Sequence, residues 1–216
     1  MLAPPRPIKR LIELVLASAL LIVISPILLL LSLLVAITSR GPVFYLDNRF
    51  GLGGEVYRMF KFRSMKVGAP PLLTSEGKLI VAKRDPRLTV IGGPMRALRI
   101  DELPQLINVV KGDMSFVGPR AGQPWYEKHY TGLAYERLKV RPGITGLASV
   151  VGGRQISNES LYKLDKRYVD RQDARLDLLI VLMTPVYVLR GPSLPRRVLA
   201  RYLEGISMKE LDSLDG

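Results

Sequence analysis

From Leu11 to Ile37 the chain reads LIELVLASALLIVISPILLLLSLLVAI, apolar at nearly every position, with Glu13 as its one charged member. Roughly 20 such residues suffice to cross a bilayer, so the run predicts a membrane helix. It is too long for the core of a cleaved secretion signal, and Arg40-Gly41-Pro42 follows it in place of a small-residue cleavage site. Ser25-Pro26 lies at its middle. Proline removes an intrahelical hydrogen bond and clashes with the preceding turn, which predicts a break into two halves, each short for a full span. The serine hydroxyl can satisfy the carbonyl that the proline frees. Both flanks are basic, with Arg6, Lys9 and Arg10 before the run and Arg40, Arg49, Arg58, Lys61 and Arg63 after it. Basic flanks favour the cytoplasmic side. A single-pass anchor is the plain reading, but a re-entrant helix-break-helix that enters and leaves by one leaflet satisfies both flanks, and we favour it.

Beyond residue 41 the pattern changes. VFYLDNRFG and EVYRMFKFRSM alternate as strands around Gly51-Leu52-Gly53-Gly54, which predicts a β-hairpin. Residues 67–93 are loop-like, with one short strand at Leu79–Val81. A helix is expected over 101–111, capped by Asp101, with Pro104 in its first turn and Lys111-Gly112 at its end. Met114–Arg120 reads as extended, Tyr126–Lys139 as helix stopped by Arg141-Pro142-Gly143, and 159–190 as helical, charged at first, apolar from Leu176 and interrupted by Pro185. The segment 176–190 suits either an interfacial amphipathic helix or the core, and the basic run Leu194-Pro195-Arg196-Arg197 suits the interface.

Composition narrows the chemistry. The chain has 216 residues, no cysteine and a single histidine, His129. Thiolate metal sites, disulfides and cysteine nucleophiles are excluded, and a histidine-based triad or metal site is improbable, which leaves carboxylates, hydroxyls, lysine and arginine. The formal net charge of +13 suits a polyanionic partner: nucleic acid, anionic lipid or a phosphorylated substrate. Most basic stretches lack interleaved aromatics, which argues against single-strand binding.

The sharpest candidate site is Arg99-Ile100-Asp101-Glu102-Leu103-Pro104. At a helix start the positive end of the dipole stabilises negative charge. An aspartate there is expected to stay ionised, as a carboxylate nucleophile must, leaving Glu102 to hold a hard cation such as Mg²⁺ through oxygen. The plain alternative is that both acids merely cap the helix. Lys61 and Arg63 alternate with apolar residues on a strand, and Arg120 and Arg141 lie at Gly-Pro and Pro-Gly turns. Cations of this kind suit a diphosphate, although each alone also reads as a solvated charge. Trp125 reads as an interfacial or core residue before a base- or sugar-stacking one.

The motifs GPVFY (41–45), KFRSM (61–65), DPRLT (85–89), DELPQLINVVKGDMSFVGPR (101–120) and RPGITG (141–146), in this order, resemble the bacterial sugar transferase family, the small monotopic phosphoglycosyl transferases. The likeness runs from about residue 7 to 190. It departs at Pro119-Arg120-Ala121, where the family commonly has Pro-Arg-Pro, and at Gly146-Leu147-Ala148-Ser149-Val150, where Gly-Trp-Ala-Gln-Val is common.

The resemblance implies a mixed α/β fold: a re-entrant helical hairpin over 1–40, broken at Ser25 and Pro26, a catalytic domain over 41–204 with a short sheet and interfacial helices, and a tail over 205–216. It implies transfer of a phosphosugar from a UDP-sugar to polyprenol (undecaprenyl) phosphate, with Asp101 as nucleophile and release of UMP. Glu102 would hold Mg²⁺, and Lys61, Arg63, Arg120 and Arg141 would bind substrate phosphate. The expected setting is the cytoplasmic face of the bacterial inner membrane, in contact with anionic lipid headgroups; no nucleic acid partner is expected, and a homodimer is left open. The competing class is a membrane-tethered basic protein that binds nucleic acid or anionic lipid without catalysis.

Overall fold

The computed structural model describes residues 2–4, 6–70, 85–130, 132–152 and 156–190. The expected strand at 79–81, the basic run at 194–197 and the tail over 205–216 lie outside them. The fold is mixed α/β, with one long apolar helix and two small sheets among the described residues.

Helix α1 spans Pro7–Thr38 and is assigned as one element through Pro26, where a break was expected. The hydrogen bonding explains the continuity. Pro26 has no N–H for the carbonyl of Ile22, one turn back, and the Ser25 hydroxyl donates to that carbonyl instead, at 2.8 Å. At 32 residues, α1 is about 48 Å long, well beyond the hydrocarbon thickness of a bilayer. Only Glu13, Ala17 and Val35 are buried in it. With Leu21, Ile24, Leu28 and Leu31, which are partly buried, they form one stripe at helical spacing. The upper part of the stripe packs on Met59, Leu106, Val109 and Met114, the lower on Phe62 and Met95. The helix therefore lies along the globular part, while Ile22, Val23, Leu29 and the remaining apolar positions stay exposed.

Buried polar contacts pin both ends of α1 to the same globular unit. Near the start, Lys9 Nζ pairs with Asp177 (2.9 Å) and donates to the Tyr168 hydroxyl (2.8 Å) and the Val117 carbonyl (3.2 Å). Glu13 accepts from the Ser115 hydroxyl and from the backbone N–H of Phe116. Arg10 donates to the carbonyls of Val109 and Val110. At the other end, the Arg63 guanidinium donates to the carbonyls of Ser39 and Arg40, just past the last turn, where a cation meets the negative pole of the helix.

Strands β1 (Phe44–Phe50) and β2 (Val56–Phe62) form the expected antiparallel hairpin, in register from Phe44 opposite Phe62 to Phe50 opposite Val56. Gly53 and Gly54, at φ 70° and 85°, supply the left-handed conformations that turn the chain. A short helix α2 (Gly92–Ala97) leads to the acidic segment, and helix α3 (Gln105–Lys111) follows it. Strands β3 (Ser115–Val117) and β4 (Gly143–Thr145) pair in parallel. The helix expected over 126–139 is three pieces: a 3-10 turn at Pro124–His129, helix α4 (Gly132–Glu136) and a second 3-10 turn at Arg137–Lys139. Tyr130, in extended conformation ahead of Gly132, interrupts it. Trp125 is half-exposed and meets Tyr126 edge-on, outside the core.

Helix α5 (Leu147–Val151) precedes α6 (Asn158–Arg171) and α7 (Ala174–Arg190). The last two make up the helical stretch expected over 159–190. Gln172, at φ 25°, ends α6, and Asp173 caps α7 by accepting from Leu176 N–H at 2.7 Å. Pro185 does not end α7. Both readings of 176–190 describe part of it: Leu176, Ile180 and Met183 are buried in the core with Tyr168, while Leu178, Leu182 and Leu189 are exposed.

Asn108, fully buried on α3, ties helix to hairpin. It accepts from Phe60 N–H (2.9 Å) and donates to the Arg58 carbonyl (2.8 Å) and Asp113 (2.9 Å). Asn108→Ala strands these groups, and we expect a loss of about 3 kcal/mol, because a buried polar group left unpaired costs its desolvation. A thermal-unfolding midpoint equal to wild type in detergent would contradict the bridging role.

Candidate active site

The acidic pair lies before the helix, not on its cap. Ile100–Glu102 is a 3-10 turn, α3 begins four residues after Asp101, and no side chain caps it. The bonds from Glu102 N–H to Arg99 O, Leu103 N–H to Ile100 O and Leu106 N–H to Leu103 O are all of the i to i+3 kind. Pro104 has no N–H with which to carry an α-helical ladder back across the acids. Arg99 enters the turn in the left-handed conformation, at φ 55° and ψ 18°, which strains a residue with a Cβ.

The turn divides the two acids sharply. Glu102 meets three cations: Arg120 Nη2 at 2.9 Å, Lys61 Nζ at 3.6 Å and Arg99 Nη1 at 3.8 Å. Burial alone would raise its pKa, but Arg120 and Lys61 overcome this and hold the carboxyl far below the usual range. Asp101 is buried and makes no ion pair with any described residue. Burial, and then the Glu102 charge, push its pKa up, against the pull of Lys61 and Arg96. The dipole argument for a readily ionised Asp101 is thus corrected: the residue is not at a helix start, and desolvation wins. Lys61 is pulled down to about 8 by burial, although Glu102 acts to raise it.

Of the four cations singled out in the sequence, the structure brings Lys61 and Arg120 to the acidic pair. Arg63 is one residue beyond β2, buried, with both terminal nitrogens on the carbonyls that end α1. Strand alternation put it beside Lys61, but the strand stops at Phe62 and the side chain takes another course. Arg141 donates through Nε to the Gly112 carbonyl at 2.8 Å, which leaves its terminal nitrogens for other partners. Sequence reading passed over three residues: Arg99, Arg96, whose charge reaches Asp101, and Tyr187 of α7, whose hydroxyl accepts from Arg99 Nη2 at 2.9 Å. Arg99 stands inside the quoted acidic motif, where the sequence reading gave it no role of its own. Nothing in sequence marks Tyr187, 88 residues away.

Among the described residues no cluster of three or more His, Asp or Glu side chains could hold a metal by itself. Two adjacent carboxylates do fit the way Mg²⁺ is commonly held, by one or two carboxylates with phosphate oxygens completing the shell. Asp101 brings oxygens that make no ion pair among the described residues, and the cations around Glu102 suit phosphate.

The bacterial sugar transferase profile matches residues 5–191. A UDP-glucose:undecaprenyl-phosphate glucose-1-phosphate transferase of Klebsiella pneumoniae is 40% identical over 186 residues, covering 82% of this chain and 39% of that protein. The exopolysaccharide production protein ExoY of Rhizobium meliloti is 34% identical over 187 residues, covering 82% and 83% respectively. A UDP-N-acetylgalactosamine-undecaprenyl-phosphate N-acetylgalactosaminephosphotransferase of Aeromonas hydrophila is 37% identical over 191 residues, covering 85% of this chain and 44% of that protein. The chain thus spans less than half the length of the first and third of these relatives. Their names do not favour the nucleic-acid-binding reading.

One pH effect follows from the site. Lys61 loses its proton near pH 8, so binding of an anionic ligand such as UDP should weaken as pH rises through that value. Lys61→Arg should move the fall-off to higher pH, since arginine keeps its charge. Calorimetric titration of UDP at pH 6.5 to 9.5 tests this, and identical profiles for the two proteins would refute it.

Proposed function

The chain belongs to the bacterial sugar transferase family, and we propose that it moves a phosphosugar from a UDP-sugar to undecaprenyl or a related polyprenol phosphate through a covalent intermediate on Asp101. In the first step an Asp101 carboxylate oxygen attacks the β-phosphorus. The P–O bond to the bridging oxygen breaks, and its electron pair leaves with UMP. In the second, a phosphate oxygen of the polyprenol phosphate attacks the same phosphorus and expels the Asp101 carboxylate, giving polyprenyl-diphospho-sugar. One site thereby serves two phosphate substrates in turn.

The observation that carries this reading is the unequal pair: among the described residues, Glu102 is tied to three cations, while Asp101 beside it makes no ion pair. A buried, poorly solvated carboxylate is the more reactive nucleophile once ionised. Lys61, Arg120 and Arg99 offset repulsion between that carboxylate and the diphosphate. Glu102 would hold Mg²⁺, which would supply charge neutralisation at the diphosphate. Arg141 keeps the phosphate-binding role proposed from its motif, while Arg63 mainly secures the end of α1. As a domain plan, residues 1–40 form the membrane segment, 41–204 the catalytic part and 205–216 a tail.

We read α1 as re-entrant, with the catalytic part on the cytoplasmic face of the inner membrane. Support comes from its polar pins: Lys9 and Glu13 at one end and the Arg63-capped carbonyls at the other reach the same globular unit. The exposed apolar face of α7 suits the lipid interface. Such a site stands at headgroup depth, where a polyprenol phosphate and anionic headgroups lie.

Asp101→Asn should abolish UMP release from UDP-sugars with undecaprenyl phosphate, by roughly 10³-fold or more. It should not lower the melting temperature. An acid whose folded pKa is raised costs stability as pH rises through that pKa, and a neutral isostere relieves the cost. Full retained turnover would rule out the nucleophile assignment; a panel of UDP-sugars in the same assay identifies the sugar. For topology, tags on both termini should be inaccessible from outside sealed cells, and labelling of either from the periplasm would contradict the re-entrant reading.

A further inference from the structure

The left-handed Arg99 is held from a distant part of the chain. Its Nη2 donates to the Tyr187 hydroxyl at 2.9 Å, and its guanidinium carbon lies 4.9 Å from the Tyr187 ring centroid, within cation–π range. On the opposite side, Nη1 is 3.8 Å from Glu102 Oε2. The tyrosine also contributes to the electrostatics of Arg120. Arg99 is partly exposed, with 38% of its side chain open, whereas Glu102 is largely covered. A cation so placed bridges the acidic pair and the space a ligand would enter.

The helix that carries Tyr187 is fastened at two further points. Asp177 pairs with Lys9 of α1, and the Thr184 hydroxyl lies 2.7 Å from that of Thr145 on β4. These contacts fix the height of α7 against the domain, and with it the reach of Tyr187.

We propose that Tyr187 is a positioning residue of the active site: from α7 it orients the Arg99 guanidinium between Glu102 and the diphosphate of the sugar nucleotide. This rests on the transferase reading above. Backbone strain at Arg99 is tolerated because the side chain is held at both ends, on Tyr187 and on Glu102. The task concerns binding of the donor's phosphates and not the attack on phosphorus, so its loss should appear in KM. Tyr187→Phe keeps the ring and removes the acceptor; Tyr187→Leu removes both.

The experiment measures UMP release against UDP-sugar concentration for wild type, Tyr187→Phe, Tyr187→Leu, Arg99→Gly and Asp101→Asn, with melting temperatures for each. Removing a hydrogen bond to a charged group should raise KM about tenfold in Tyr187→Phe, with kcat within about twofold, and more in Tyr187→Leu. Arg99→Gly should raise KM at least as far, while its melting temperature stays level or rises, because glycine accepts the left-handed backbone without strain. A residue with a purely structural role would lower stability and leave KM alone. Wild-type KM in both Tyr187→Phe and Arg99→Gly overturns the proposal, even if Tyr187→Leu fails to fold. Asp101→Asn separates the two readings: full activity there removes the transferase mechanism itself, whereas an inactive Asp101→Asn beside a kinetically normal Tyr187→Phe and Arg99→Gly removes only the role of Tyr187.

Discussion

The rest of the structure depends on how α1 meets the globular part. Its stripe of Glu13, Ala17, Leu21, Ile24, Leu28, Leu31 and Val35 lies against hairpin, α3 and α2, and the remaining surface is apolar and exposed. Such a helix needs lipid on one side and protein on the other. Ala17, fully buried, permits close approach to Leu106 and Val109. The polar pins at its two ends could not form in an isolated helix, because each partner comes from a strand or helix far along the chain. A glutamate inside the apolar run, with a lysine just ahead of it, would be costly without them.

The same packing explains the site. Lys61 comes from β2, Arg120 from the extended segment after β3, and Arg99 from the turn itself, and they converge on Glu102 because hairpin and α3 are locked together by Asn108. With its charge balanced, Glu102 stays ionised, while at Asp101, one residue away, burial outweighs the pull of Lys61 and Arg96. Neighbours in sequence are thus set apart chemically by where the cations stand. The surplus positive charge of the chain is locally concentrated where a diphosphate would need it.

Much of this was legible in the chain. The hairpin followed from alternation and a glycine-rich turn, and the long apolar helix from composition. The acidic motif also stood out, and the Ser25 hydroxyl meets the carbonyl expected of it. Other expectations failed for identifiable reasons. Pro26 and Pro185 lie inside helices that continue past them, and at Pro26 the Ser25 hydroxyl takes the carbonyl that the proline leaves free. The helix over 101–111 lost its first turn to i to i+3 bonds, and with it the dipole argument for Asp101. Arg63 looked like a partner of Lys61 by strand alternation, yet the strand ended between them.

By itself, then, the sequence determined the elements governed by local rules: a run too apolar for water, a hairpin with period-two alternation, and the family motifs around Asp101-Glu102. It could not determine which face of α1 is protein-bound, because a helix that is apolar all round carries no contrast to mark one. Nor could it decide how the two acids differ, or that Tyr187 reaches Arg99. Those depend on charges and rings brought together across tens of residues, and a pKa or a strained φ is a property of the assembled surroundings and not of the residue.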